Sequence, residues 1–161
     1  MTPSILAFLR RHLGQKQLGN VLEIGSKNFN GSAKDILYKQ STNWLGIDLE
    51  GGKDVDIIIN DIAEITYLGM FDTVVCCECL EHDPNPWKTL TQINNVLNDQ
   101  GLLVVTTPTY GFPEHRYPID CYRFGMDAYK EFIFKGYNHL VLETVQDNFG
   151  YPIICGLGYK P

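Results

Sequence analysis

Apolar positions along the chain follow two rhythms. From Ser4 to Leu13, Ile5, Phe8, Leu9 and Leu13 recur at helical spacing, with Arg10, Arg11 and His12 in the last turn and Gly14 as a stop. This predicts a leading helix within residues 1–19. Beyond it, apolar runs of strand length stand at 20–24, 44–47, 55–59, 71–77 and 102–106. Helical patterns at 32–40 and 86–97 separate several of them. Alternation of strand and helix predicts an α/β fold with a doubly wound parallel sheet, covered on both faces. The tail departs from that rhythm. Runs at 139–145 and 152–157 are linked only by 146–151, too short for a helical crossover, so these two strands should pair antiparallel. No repeat, low-complexity tract or linker divides the pattern, and 161 residues read as a single domain, 1–161, able to bury about two-thirds of its unfolded surface.

Charge and cysteine usage narrow the function. A net charge of -6 without any Lys/Arg cluster argues against a broad grip on nucleic-acid phosphates, which works by releasing counterions. Five cysteines, three of them crowded as Cys76, Cys77 and Cys79, do not form a secreted disulfide framework, so a cytoplasmic setting is expected. No segment approaches the roughly 18 apolar residues that would span a bilayer, and the N-terminus lacks a signal-peptide pattern, so no membrane association is expected.

A doubly wound sheet binds ligands at the carboxyl ends of its strands. Gly25 directly follows the first strand, where backbone can pass close to a ligand. The next strand ends in Asp48, 23 residues past Gly25, a position from which a carboxylate can accept two hydrogen bonds from a ribose diol. A dinucleotide site would also need Gly-x-Gly-x-x-Gly to seat a pyrophosphate on the helix N-terminus. Lys27 and Phe29 fill that loop with side chains instead, which favours a nucleoside ligand without phosphates.

Taken together, VLEIGS with NGS, GIDL, NDI, the block FDTVVCCECLEHDPNPWKTLTQINNVLNDQGLLVVTTP and HRYPIDCYRF resemble the class I methyltransferases that use S-adenosylmethionine. The resemblance runs from about Val21 to Tyr159 and is most specific between Phe71 and Pro108. It implies a Rossmann-like seven-stranded sheet with an antiparallel last strand, 152–157 lying beside the fifth, and S-adenosyl-L-methionine as cofactor. The first loop departs from the usual Glu-x-Gly-x-Gly-x-Gly, with Lys27 and Phe29 where glycines would stand, and resembles a branch that has Gly-Ser followed by Asn-Gly-Ser. Carried over by position, Glu23 and Gly25 approach the methionine moiety, with Ser26, Asn30 and Gly31 completing the loop. Asp48 and Leu49 take the ribose side, and Asp61 and Ile62 flank the adenine, the carboxylate accepting from the amino group while Ile62 packs on the ring.

Two segments carry candidate chemistry. Glu81 and His82 fall just past the carboxyl end of the fourth strand, where the transferred methyl should point, and His82 is either a general base or a structural histidine. The segment 113–124 brings His115 as a second candidate base. The resemblance places it by the acceptor pocket, with Tyr117, Asp120, Tyr122 and Arg123 as substrate-binding candidates; Asp120 with Arg123 could equally be a structural pair, and the tyrosines could face the sulfonium. A zinc-finger reading of 76–83 lacks a Cys-x-x-Cys pair returning from a second segment, His115 and Cys121 being the nearest outliers, so no metal is expected. Methyl transfer from a sulfonium is an in-line displacement that needs mainly alignment, so a weak catalytic signature is no objection. The reading is an enzyme that methylates an oxygen or nitrogen of a small molecule or glycan. Its site is open, closed by the acceptor or by a second copy in a homo-oligomer. A non-catalytic binding or assembly protein that keeps the fold is the alternative, and an NAD or nucleotide-sugar enzyme is disfavoured by the missing glycines. A base methylase of DNA or RNA would want Asn or Asp, Pro-Pro and an aromatic after the fourth strand, where this chain has Glu78-Cys79-Leu80-Glu81.

Overall fold

The computed structural model describes residues 1–161. Helix α1 spans Pro3–Leu13, with Pro3 opening it, where its missing N–H costs nothing, and Arg10, Arg11 and His12 complementing the dipole at its end. Strand β1 is Gly19–Ile24, α2 the single turn Lys34–Leu37, β2 Ser41–Asp48 and β3 Ile57–Ile58. A 3-10 segment over Ile62–Tyr67 leads to β4, Phe71–Cys77, and a short 3-10 turn at Leu80–His82 precedes α3, Pro86–Val96. Strand β5 is Leu97–Pro108; α4, Met126–Ala128, runs into a π-helical turn at Tyr129–Ile133; β6 is Asn138–Gln146 and β7 Pro152–Tyr159.

All seven strands join one sheet in the order β3-β2-β1-β4-β5-β7-β6. The first five are parallel, β7 enters antiparallel beside β5, and β6 pairs antiparallel with β7. This is the predicted doubly wound sheet with its reversed last strand. Strand periodicity sorts the core into two layers. Leu22, Val74, Cys76, Leu103 and Val105 point to the side covered by 62–67, α3 and the α4 turn. Val21, Trp44, Val75, Val104 and Cys155 point to the side of α1 and α2.

Three element boundaries differ from expectation for local reasons. The helix expected over 32–40 shrinks to one turn, continued by 3-10 backbone at Tyr38–Gln40, because Ser32 is used to hold the preceding loop. The third strand keeps only two ladder residues, since at this edge the Asp56 side chain takes the N–H of Gly46. The fifth strand starts five residues early: Leu97 pairs with Phe71 and Leu102 with Thr73, and the bulge between them absorbs Asn98 to Gly101. The 62–67 turn and the α4 turn have no clear periodic signal and went unpredicted.

Candidate active site

The carboxyl ends of β1, β2 and β4 carry the predicted residues on two facing rims. On the first rim, Gly25 has φ +72°, a conformation glycine adopts without strain, and a Cβ there would lie 3.0 Å from the Cys79 sulfur of the opposite rim. The N–H groups of Gly25 and Ser26 both donate to the Ile47 carbonyl, at 3.0 Å, fastening the loop to β2. Glu23 is buried beneath it rather than exposed in the cleft. Its carboxylate accepts from the Ser32 hydroxyl at 3.1 Å and from the Trp44 indole N–H at 2.9 Å. Burial nevertheless pushes its pKa up to about 7, the two hydrogen bonds opposing the shift only in part. Ser26 is buried with no partner for its hydroxyl, and Gly31 donates its N–H to the Asn28 side chain at 2.8 Å. Asn30 is exposed, as is Leu49.

Asp48 ends β2 as its position required. One oxygen accepts from the Lys27 N–H at 3.1 Å and the other from the Glu50 N–H at 3.2 Å, each leaving lone pairs for a further donor. Lys27 reaches back to Glu50 at 2.7 Å and lies over the Phe29 ring, 5.1 Å from its centroid. Phe29 is 63% exposed and meets Tyr117 across the cleft, ring centroids 5.7 Å apart. The two side chains that replace family glycines therefore form the outer lip of the loop. Asp61 caps the 62–67 turn by accepting from the Ala63 N–H, and Lys88 of α3 sits at 2.6 Å. The Lys88 hydrogen bond holds its carboxyl below the usual range. Ile62 follows it, half-buried against the core.

The second rim rises from β4. Glu78 has φ +52° and accepts from the Thr106 hydroxyl at 3.2 Å; burial pushes its pKa up to about 7. Glu81 is fully buried, and neither carboxylate oxygen has a hydrogen-bond partner. Burial, with Glu78 nearby, raises its pKa well above the ordinary range. The Glu81 carbonyl receives the N–H groups of Cys121 at 2.7 Å and Tyr122 at 3.2 Å, so the 113–124 segment is tied down over the 3-10 turn. His82 and His115 come together there, ring centroids 4.8 Å apart, with Nε2 atoms 3.6 Å and 3.8 Å from Glu81 Oε1. Burial, then His82, lowers the pKa of His115. His82 Nδ1 lies 2.6 Å from the Ile119 carbonyl.

Tyr117 packs edge-on at 6.0 Å from His82 and lines the opening. Asp120 and Arg123 form a network: the guanidinium meets both carboxylate oxygens and the carbonyls of Phe112, Pro113 and Tyr122. The Arg123 bond holds the Asp120 carboxyl far below its usual range. Tyr122 turns away, its hydroxyl toward the Pro84 carbonyl at 3.3 Å and its ring against Phe124. Ser32 and Trp44 were not singled out from sequence, and Phe29 only as a side chain filling the first loop. Trp44 could have been, because Glu23 and Trp44 belong to neighbouring strands and sit two residues apart in register, on the same face.

Residues 2–128 match the family described as methyltransferase domain. The chain belongs to the class I S-adenosylmethionine-dependent methyltransferases. No curated protein matches this methyltransferase by sequence. Among solved structures, the 1,6-didemethyltoxoflavin-N1-methyltransferase of Burkholderia thailandensis, crystallised with 1,6-didemethyltoxoflavin and S-adenosylhomocysteine, superimposes with TM-score 0.75 at 18% identity over 97% of this chain and 76% of that one. A SAM-dependent methyltransferase from Archaeoglobus fulgidus gives 0.72 at 16%, covering 97% and 93%. The N-methyltransferase NodS of Bradyrhizobium japonicum gives 0.70 at 15%, covering 98% and 94%. Such likeness establishes a shared fold for the methyltransferase. No helix in it is long and apolar enough to cross a membrane.

Proposed function

We propose that the protein transfers a methyl group from S-adenosylmethionine to an oxygen or nitrogen of a small molecule or glycan, at the cleft between the two rims. What carries this reading is the placement of Asp48, with lone pairs free, on one side of the cleft and of Glu81, His82 and His115 on the other. Asp48 would accept from the ribose diol, and Asp61 with Ile62 would flank the adenine. The acceptor lone pair attacks the methyl carbon as the carbon–sulfur bond breaks, leaving the neutral thioether S-adenosylhomocysteine. The acceptor proton goes to His82, His115 or Glu81. Holding donor and acceptor in line supplies most of the rate. Small-molecule N-methyltransferases among the solved structures support that acceptor class. Cysteine usage, with three of the five crowded as Cys76, Cys77 and Cys79, supports a reducing, cytoplasmic setting. We expect the open cleft to be closed by the acceptor or by a second copy of the chain.

Calorimetry with S-adenosylhomocysteine tests the cofactor half. Asp48→Ala should weaken binding by about 1–3 kcal/mol, because a charged hydrogen-bond partner of the ribose diol is lost. Equal affinities would remove Asp48 from the site. Mass spectrometry of products from a mixed acceptor library tests turnover. One observation favours a second reading, a binding protein without turnover: Lys27 and Phe29 fill the lip that glycines leave open in relatives of the usual pattern. Cofactor binding with no methylated product from any acceptor would select it.

A further inference from the structure

Glu81 presents a contradiction that the methyltransferase reading leaves standing. It is fully buried, and both of its carboxylate oxygens lack a hydrogen-bond donor. Buried polar groups are almost always partnered, so an orphaned carboxylate calls for a proton, a water or a cation. Its neighbours make the choice sharper. His82 Nδ1, 2.6 Å from the Ile119 carbonyl, must carry a proton to make that bond, since a carbonyl only accepts. In the neutral ring, Nε2 is then an acceptor, and it lies 3.6 Å from Glu81 Oε1, itself an acceptor. His115 stands beside it, with Nε2 3.8 Å from the same oxygen and Nδ1 3.5 Å from the Arg123 guanidinium and 3.7 Å from the Asp120 carboxylate. Two imidazoles and a carboxylate thus converge on one point with no hydrogen bond between them.

We propose that Glu81, His82 and His115 bind a divalent cation, with the remaining coordination positions open to the cleft. Their ligand atoms all lie within 4.8 Å of one another. Metal–ligand bonds of about 2.0–2.2 Å set donors in a tetrahedral or facial site roughly 3.0–3.5 Å apart, so small side-chain rotations close the site. Outer partners of the kind that orient metal-binding histidines are in place: the Ile119 carbonyl on His82 and Asp120 beside His115, with Asp120 fixed by Arg123. Two imidazoles and one carboxylate suit zinc, manganese, iron(II) or cobalt(II), rather than calcium or magnesium, which prefer all-oxygen shells. The spacing of Glu81, His82 and His115 along the chain matches no zinc-finger pattern, which is why the sequence did not reveal the set.

A role follows, and it alone rests on the methyltransferase reading. An acceptor hydroxyl bound to the cation would release its proton to solvent water, the two imidazoles and the carboxylate then being engaged as ligands, and would present its oxygen lone pair at a fixed position beside the methyl group.

The experiment uses the tag-free protein, stripped with chelator and titrated by calorimetry with Zn²⁺, Mn²⁺ and Mg²⁺ separately, with Co²⁺ followed by its visible absorption. We expect one Zn²⁺ or Co²⁺ per chain and little Mg²⁺. Glu81→Gln and His115→Ala should each weaken Co²⁺ binding at least tenfold, with thermal melting showing that both variants are folded. His82→Ala provides a third arm should either variant fail to fold. No stoichiometric uptake by the wild type, or uptake unchanged in folded variants, overturns the site. S-adenosylhomocysteine titrations on the same samples keep the two readings apart. Cofactor binding without metal uptake sinks only the cation site, and metal uptake without cofactor binding sinks only the methyltransferase reading.

Discussion

The two rims of the cleft solve the same problem, burying carboxylates at strand ends, in opposite ways. Above β1 and β2, Glu23 receives Ser32 and Trp44, Asp48 receives two backbone N–H groups, and Asp54 receives the Asn28 amide at 2.7 Å. Above β4, Glu81 receives nothing while two histidines turn ring nitrogens toward it. A rim whose charges are matched internally is finished as it folds, and can present a fixed shape to a nucleoside. A rim with an orphaned carboxyl group is completed only by something it binds. The difference separates scaffold from chemistry within one cleft, and the fold provides for it: the first rim hangs on parallel strands at the sheet's edge side, the second on the central strand and a loop pinned over it.

The largest effect should come from breaking the one charge pair that stabilises the second rim. Arg123 and Asp120 are mostly buried, with side chains 18% and 4% exposed, and the guanidinium also holds three carbonyls of the segment. Arg123→Ala leaves the Asp120 carboxylate without its cation and should cost about 3 kcal/mol, at the low end for breaking a buried pair because Arg123 keeps some solvent. Denaturant unfolding measures it. A loss below about 1 kcal/mol would mean that the 113–124 segment stands without its network and that the rims differ less than their hydrogen bonds suggest.

A smaller effect sharpens the contrast on the first rim through pH. Burial raises the Glu23 pKa from an ordinary 4.5 to about 7 in the folded chain. Between those values the folded state binds more protons than the unfolded one, so this group's contribution to stability is full below about 4.5, falls as pH rises toward 7 and is flat beyond. The loss should be on the order of 3 kcal/mol. Glu23→Gln keeps an acceptor for Trp44 and a donor toward Ser32 while removing the charge, so it should be more stable than wild type at pH 8 and equal to it at pH 4. Melting curves across that range decide. An unchanged pH slope in the variant would show that Glu23 stays ionised at no cost, its two donors matching the charge completely.

The legibility of these regions from sequence differs for a physical reason. The alternation of strand and helix, the antiparallel pairing of the two tail strands and the position of Asp48 follow from periodicity and spacing along the chain, properties that survive without coordinates, whereas the place of the last strand beside the fifth came from the family resemblance. The Glu81, His82 and His115 convergence depends on the backbone bonds from Cys121 and Tyr122 to the Glu81 carbonyl, a long-range tie between residues 40 apart or more that no local pattern encodes. The same holds for Trp44 on Glu23. The resemblance placed Tyr122 by the acceptor pocket; its ring packs against Phe124 and its hydroxyl donates to the Pro84 carbonyl.

The smallest effect concerns the contact that joins the rims. Phe29 and Tyr117 touch at 5.7 Å with both rings more than half exposed, so either can be removed without opening a cavity. Phe29→Ala should shift stability by no more than about 0.5 kcal/mol, as for an ordinary surface change. An aromatic pair is worth about 0.5–1.5 kcal/mol, and if it latches the lip over a bound nucleoside, that energy appears in release rather than in folding. Dissociation of S-adenosylhomocysteine, followed by stopped-flow, should then quicken by roughly two- to tenfold in Phe29→Ala and by a similar factor in Tyr117→Ala. The double variant should be no faster than the quicker single one, because one contact can be lost only once. Rates that multiply in the double variant would mean that the rings act separately, Phe29 with Lys27 on the first rim and Tyr117 with His82 on the second, and that the rims meet only through what they bind.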